Sequence, residues 1–299
     1  MDSLYTELKK LAETEKDVPL ARMTTLRIGG PARYTVYPQN ELSLDGILRL
    51  LKRENVPYKV IGKGSNLLCS DDEFAGVVIR LDRYFTDSFF REDILTAQAG
   101  CSIITLAYDA MKLGYSGLEF ASGIPATVGG VTYMTAGAYK SSMADVIESV
   151  LVYRDGRSEW ISNAECEFGY RTSIFQSHPD WLILGVRMHL KPGNINEIRE
   201  LMENRRQRRM ASQPLDKPSA GSVFRNPEEI PAWQLIEKIG YRGKRIGGAM
   251  VSEKHVNFIV NEDHAKAADF LQLANEIHDE ILEQYGIDLK MEVEKFNWS

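Results

Sequence analysis

The chain has 299 residues, 43% of them apolar and 26% charged, with a formal net charge of −6. That length predicts two or three compact units with a substantial core. The acidic balance argues against a dedicated nucleic-acid binder, although a local basic pocket on an acidic protein can still hold a small anion.

The first twenty residues carry Asp2, Glu7, Lys9, Lys10, Glu13, Glu15 and Lys16, so no apolar signal-peptide core is expected there. Leu4 to Ala12 has the spacing of a short amphipathic helix, and Tyr34 to Tyr37 that of an extended segment. Leu44, Ile47, Leu48 and Leu51 share one face of a helix over Leu44 to Arg53. Tyr58 to Ile61 reads as a strand running into Gly62-Lys63-Gly64-Ser65-Asn66, with further strands at Val77 to Leu81 and Leu95 to Ala99. A helix over Ile103 to Leu113 stops at Gly114.

The longest uncharged stretch, Phe120 to Tyr139, is rich in glycine and hydroxyl residues and makes a poor membrane span. Strands follow at Val146 to Tyr153, Glu159 to Ile161 and Leu182 to Leu190, and Pro192-Gly193 punctuates the chain before a long helix from Ile195. On that helix Arg205, Arg206, Arg208 and Arg209 are balanced by Glu197, Glu200 and Glu203, the pattern of a solvated face. A strand at Phe258 to Val260 and a helix from Ala265 to Tyr285 follow, and the alternation of strands and helices along the chain indicates layers of α+β or α/β type. Cys69, Cys101 and Cys166 are odd in number and far apart, which suits reduced thiols, and no Cys/His spacing points to a metal.

Two glycine clusters suggest a nucleotide cofactor. Gly62 to Asn66 follows a strand, but Leu67 stands where the third glycine of GxGxxG belongs, so a Rossmann nicotinamide site fits badly. A tight turn remains, whose backbone N–H groups, Ser65 hydroxyl and Asn66 amide can cradle a pyrophosphate. The second cluster is Gly123-Ile124-Pro125-Ala126-Thr127-Val128-Gly129-Gly130, where paired glycines permit close backbone approach to a flat ligand. Taken singly, each is also compatible with an ordinary packed turn.

These segments, Ile61 to Leu68 and Gly123 to Gly130, resemble the two FAD-binding segments of the UDP-N-acetylenolpyruvoylglucosamine reductases. Phe168-Gly169-Tyr170-Arg171-Thr172-Ser173-Ile174-Phe175, Pro218 to Pro227 around Ser219-Ala220-Gly221-Ser222, and Val251-Ser252-Glu253-Lys254-His255 resemble three further signatures, in the family's order. The resemblance implies an α+β fold, with a two-part FAD-binding domain of the vanillyl-alcohol-oxidase type and a separate α/β substrate-binding domain. The corresponding regions are 1–82, 83–191 and 192–299, with the last residues, about 290–299, returning to the active site. The short connection from Phe175 to Arg187 resembles the shorter class, which lacks an inserted tyrosine loop.

The same resemblance implies NADPH-dependent, FAD-mediated reduction of an enolpyruvyl nucleotide sugar by a cytoplasmic enzyme, with non-covalent FAD. The cofactor would meet Gly62, Lys63, Gly64, Ser65, Asn66 and Leu67 on one side and Ser122, Gly123, Ile124, Thr127, Gly129 and Gly130 on the other. Arg171 would grip the substrate carboxylate, Glu292 would assist it with Glu294 as rival, and Ser222 would donate a proton with Ser219 as rival. Tyr170, Arg225 and Asn226 would touch substrate, and Lys217, Arg245 and Lys254 are candidates for its diphosphate. Neither nucleic acid nor membrane is an expected partner, and a monomer is expected. Three departures from the family pattern stand out: Ala126 for glycine, Thr135 for asparagine, and Lys140-Ser141-Ser142 for a glycine-rich turn. Two competing readings are an alcohol or hydroxy-acid oxidase on the same fold and a non-catalytic nucleotide-sugar or RNA-binding module.

Overall fold

In a computed structural model of the chain, residues 3–298 are described, and Met1, Asp2 and Ser299 lie outside the described residues. By compactness the chain forms two units, each assembled from separate segments. The first takes the described part of Met1–Glu15, with Tyr34–Lys63 and Gly76–Gln207; the second takes Lys16–Arg33, Gly64–Ala75 and the described part of Arg208–Ser299.

The helices, in chain order, are α1 (Ser3–Leu11), α2 (Glu41–Arg53), α3 (Ile103–Lys112), α4 (Val128–Tyr133), α5 (Ile195–Ser212), α6 (Ala232–Lys238) and α7 (Ala267–Tyr285). The first unit contains α1 to α4 and most of α5. In α2 the Asn40 side chain accepts from the Ser43 N–H, Glu41 sits in the first turn, and Lys52 and Arg53 sit in the last. Each matches the helix's exposed end groups and dipole. The helix buries Leu44, Ile47, Leu50 and Leu51, while Leu48 is only partly buried. Ser102 caps α3 in the same way, and Gly114, at φ 78, turns the chain out of it.

A four-stranded sheet runs Glu13–Pro19, Pro31–Tyr37, Phe74–Ile79 and Tyr58–Val60, the last pair parallel with Tyr58 opposite Val77. The highly charged Glu13–Pro19 has no strand-like alternation, but as an edge strand it can keep its charges in water. A five-stranded antiparallel sheet runs Arg157–Ser162, Ile147–Arg154, Leu182–His189, Ile94–Gln98 and Ser88–Arg91. Its register places Val150 opposite Val186 and Val186 opposite Ala97, which puts small and branched apolar residues into one continuous core. The arginine-rich face of α5 is partly neutralised, with Arg206 paired to Glu203 at 2.9 Å.

The second unit is built on a three-stranded antiparallel sheet, Arg245–Ile246, Ala249–Val251 and Ile259–Asn261, together with α6 and α7. One face of α7 buries Ala267, Phe270, Leu273, Ala274, Ile277 and Ile281. Its start is fixed by carboxylates: the Ala267 N–H donates to Asp71 at 2.8 Å and the Lys266 N–H to Asp269 at 2.9 Å. Gly286, at φ 67, ends it. Leu67–Cys69 pairs in parallel with Glu294–Phe296, Glu294 opposite Leu67, so the chain's end lies beside the segment that leaves the first glycine cluster.

Candidate active site

In the first unit, the second glycine cluster is part helix. The residues after Pro125 wind into α4, whose cap is Thr127, its hydroxyl accepting from the Gly130 N–H at 3.3 Å. The Val128 and Gly129 N–H groups donate to the Cys101 and Ala99 carbonyls at 2.9 and 2.8 Å, which ties α4 to the strand Ile94–Gln98 and the start of α3. Ser122 donates to the Glu119 carbonyl at 2.9 Å, and the Ile124 N–H to that of Ala121 at 3.0 Å. Gly123 is half-buried between them.

The glycines of the two clusters do different work. A Cβ at Gly62 would lie 2.4 Å from Thr127 Oγ1, so the clusters meet through a bare backbone. A Cβ at Gly129 would lie 3.1 Å from that of Ala99, so Gly129 packs closely against the chain that leaves the strand Ile94–Gln98. A Cβ at Gly130 would meet only Thr127 Oγ1 among the described residues, at 3.4 Å, an ordinary contact, so this glycine is the least crowded of the three. Backbone bare of Cβ atoms at Gly62 and Gly130 fits the flavin cofactor that these residues resemble a site for. Lys63 lies 3.4 Å from Asp82, which Arg80 holds at 2.6 Å. Burial disfavours charge on Asp82, yet the Arg80 guanidinium, with Lys63 behind it, holds its carboxyl below the usual carboxylate range.

The same unit carries Tyr170 and Arg171 on a tight turn. Gly169 and Thr172 exchange backbone hydrogen bonds at 3.0 and 3.2 Å, and Arg171, third in the turn, has φ 60. That left-handed value suits a type II turn but strains any side chain larger than glycine. Tyr170 is 55% exposed, with the Arg171 guanidinium 5.1 Å from its ring centre. Arg171 also donates to the Gly137 carbonyl at 3.0 Å.

The second unit holds Gly64 to Leu67 together with the serine and C-terminal segments. Gly64, at φ 59, packs so closely that a Cβ would lie 2.3 Å from the Met23 carbonyl oxygen. The Asn66 amide donates to the Glu292 carbonyl at 3.0 Å, and the Glu294 N–H returns to the Asn66 carbonyl at 2.9 Å. The Glu292 N–H donates to the Val223 carbonyl at 2.7 Å, and the Arg225 N–H to that of Lys290 at 2.9 Å. Ser222 and Glu292, remote in sequence, are thus brought onto neighbouring strands of chain. Gly221, at φ 80, would place a Cβ 3.9 Å from the Ser65 carbonyl oxygen.

Of the two serines, Ser219 is built into the scaffold: its carbonyl accepts from the Thr25 hydroxyl at 2.7 Å and it bridges to Val260. The Ser222 segment is held from behind by Asn257, whose side chain accepts from the Phe224 N–H and donates to the Phe224 carbonyl, at 3.0 and 2.9 Å. Sequence reading gave Asn257 no role, although it lies two residues past the His255 signature. The Arg225 Nε is buried without a hydrogen-bond partner among the described residues. Asn226 instead accepts from the Ala232 N–H at 3.1 Å and so helps begin α6. Lys217 and Arg245 share Glu262 at 2.9 and 3.6 Å, and Lys254 donates to the Met210 carbonyl.

Cys69, Cys101 and Cys166 are buried, and burial pushes the Cys101 and Cys166 thiols up to about 11 and about 12. Among the described residues no group of three or more His, Cys, Asp or Glu could hold a metal ion, and no helix is long and apolar enough to cross a membrane.

Comparison with known proteins shows the family. Residues 32–162 match the family model of an FAD binding domain, and residues 213–296 that of the UDP-N-acetylenolpyruvoylglucosamine reductase C-terminal domain. The UDP-N-acetylenolpyruvoylglucosamine reductase of Anoxybacillus flavithermus is 41% identical over 297 residues, covering 98% of each chain. The crystal structure of the corresponding Thermus caldophilus reductase is similar at a TM-score of 0.82 and 36% identity, covering 95% of this chain and 98% of that one. Physcomitrella patens BBE-like 1, at 14% identity, shares the fold alone: its TM-score is 0.50, covering 64% of this chain and 44% of that one. The fold is therefore α+β with an FAD-binding part of the vanillyl-alcohol-oxidase type.

Proposed function

Since this chain belongs to the UDP-N-acetylenolpyruvoylglucosamine reductase family and is an FAD-dependent oxidoreductase, we propose that it reduces the enolpyruvyl ether of UDP-N-acetylglucosamine enolpyruvate to UDP-N-acetylmuramate, with NADPH as reductant, in peptidoglycan synthesis. Residues 1–82 and 83–191 would serve FAD and 192–299 the nucleotide sugar. The proposal includes a cytoplasmic location and a monomeric state.

Held by Gly62 to Leu67 and by Ser122, Gly123, Ile124, Thr127, Gly129 and Gly130, FAD would supply the hydride-transfer chemistry between NADPH and the enolpyruvyl group. The protein's share is electrostatic and protonic. As the double bond is reduced, negative charge grows on the substrate carboxylate, and the planar Arg171 fork can hold both its oxygens. Glu292 assists there, and Ser222 gives a proton to the carbon bearing the ether oxygen. An alkyl hydroxyl is a weak acid, so its placement matters more than its acidity. Tyr170, Arg225 and Asn226 contact the substrate.

The observation that carries this reading is the hydrogen bond between the Glu292 N–H and the Val223 carbonyl, which seats the carboxylate's segment beside that of the proposed donor. The test uses the FAD-loaded enzyme and measures its two half-reactions by stopped flow. Ser222→Ala should leave flavin reduction by NADPH nearly intact and slow reoxidation by the enolpyruvyl sugar by about 10²–10⁴-fold, the scale of a lost general acid. Ser219→Ala should affect stability more than either rate. Wild-type reoxidation in Ser222→Ala would remove Ser222 from the chemistry. Rapid reoxidation of the wild type by air, indifferent to the enolpyruvyl sugar, would replace the reductase reading with an oxidase.

A further inference from the structure

Two strained residues in the first unit are bonded to one another's neighbourhoods. Arg171 has φ 60 and Thr135 has φ 42, and Thr135 is only 3% exposed. A β-branched side chain in the left-handed region is an outlier that persists only where the surroundings over-determine it. Here the cause is visible. The Thr135 hydroxyl donates to the Thr172 carbonyl at 2.6 Å, next to Arg171 in the turn. The chain around Thr135 supplies further anchors of that turn: Ser173 donates to the Tyr133 carbonyl at 2.6 Å, and Arg171 itself to that of Gly137 at 3.0 Å. Gln176 closes the arrangement by donating to both the Tyr133 and Arg171 carbonyls, at 3.1 and 3.0 Å. This anchoring segment follows α4 directly, the helix that begins in the glycine cradle.

We propose that Thr135 is a positioning residue for Arg171, its hydroxyl locking the turn that sets where the guanidinium meets the substrate carboxylate. The inference rests on the reading of Arg171 as the carboxylate clamp. The Thr172 carbonyl accepts both from the Gly169 N–H, at 3.0 Å, and from the short, buried Thr135 side chain. A serine or threonine hydroxyl on a left-handed residue can make that second bond; a valine of equal shape keeps the strain and loses the bond. Misplacing a catalytic group by about 1 Å can cost on the order of 10²-fold in rate.

The test compares Thr135→Val, Thr135→Ser, Gln176→Leu and Arg171→Ala as FAD-loaded enzymes. Each is measured for NADPH reduction, for reoxidation by the enolpyruvyl sugar, and for the flavin spectral change on titration with UDP-N-acetylmuramate. Thr135→Val should keep its FAD and its NADPH rate, reoxidise about 10–100-fold more slowly, and bind the product more weakly, with Thr135→Ser restoring both. Gln176→Leu, which loosens the turn from its other side, should show the same split even if Thr135→Val fails to fold. Wild-type reoxidation in Thr135→Val and Gln176→Leu beside a crippled Arg171→Ala would overturn the positioning role alone. Equal loss of both half-reactions in Thr135→Val, unrescued by serine, would make Thr135 a folding residue. An Arg171→Ala enzyme with wild-type reoxidation would overturn the clamp itself and leave Thr135 nothing to position.

Discussion

Gly62 and Thr127 illustrate how single atoms decide whether the two glycine clusters meet. The Thr127 hydroxyl is already committed as the cap of α4, accepting from the Gly130 N–H. A methyl group at Gly62 would press to within 2.4 Å of that oxygen, so either the cap breaks or the first cluster moves away. Gly62→Ala is therefore expected to destabilise the FAD-loaded protein and weaken FAD retention. Thr127→Ala should cost about 1 kcal/mol through the lost cap. In the double variant the clashing oxygen is gone, so its destabilisation should fall below the sum of the two single effects by about 0.5 kcal/mol or more, the signature of direct contact. Urea unfolding of all four proteins at one fixed FAD concentration reads this cycle. Additive effects would mean the two clusters do not touch through this pair.

Among the elements, the hairpin that follows α4 shows the cost of its sequence. Its strands Gly137–Ala138 and Ser141–Ser142 are joined by Tyr139 and Lys140, at φ 55 and 64. Two positive values are the mark of a type I′ turn, which favours asparagine and glycine. Tyr139 is compensated: its hydroxyl donates to the Arg205 carbonyl at 3.0 Å, and the Arg205 guanidinium lies 4.8 Å from its ring centre. Lys140 is exposed and makes no such contact, so Lys140→Gly should stabilise the fold by about 0.5–1 kcal/mol by relieving the left-handed strain. Tyr139→Gly should give no gain. A lower urea midpoint for Lys140→Gly would show that this turn is not strained at Lys140. The same stretch marks where sequence reading stops. The periodic segments were legible, because Leu44, Ile47 and Leu51 repeat as a helix face and Leu182 to His189 is long and apolar. The helix α4 was not, since glycines hide it and its cap is paired to its own third residue. The strand pair Leu67–Cys69 and Glu294–Phe296 was not either, because three residues carry no period and the partners are remote. Arg171, Ser222 and Glu292 could be named by resemblance. The strain at Arg171 and its tie to Thr135 could not, because backbone sign and remote contact leave no local pattern.

For the molecule as a whole, two histidines respond to acid with opposite signs. His255 packs edge-on against Phe258, ring centroids 4.9 Å apart, and its Nδ1 accepts from the Asn257 N–H at 3.3 Å. Burial, with the Arg242 charge adding to it, holds its imidazole below the ordinary histidine range. In the unfolded chain it titrates near the usual value of about 6.5, so below that pH the unfolded state takes up a proton that the folded state resists. The stability of the neutral ring is thus present above that value and is lost as pH falls toward the folded one. His278 carries the opposite sign. Hydrogen bonds to Asp279 and Asp288 raise it, so its contribution is full below about 6.5 and is lost as pH rises through its folded value. Those two carboxylates are 76% and 53% exposed, and solvent screening discounts the pair. Asp82, held low by Arg80, acts only in a more acidic window. As pH falls below about 6.5, the ordinary histidine value of the unfolded chain, the thermal midpoint of the FAD-loaded protein should therefore fall with acid through His255. His255→Gln should flatten that slope. The loss also has a structural address: a protonated Nδ1 can no longer accept from Asn257, the residue that grips Phe224 behind the Ser222 segment. A wild-type midpoint that rises on acidification would put His278 in control, and an unchanged slope in His255→Gln would assign the acid response to another group.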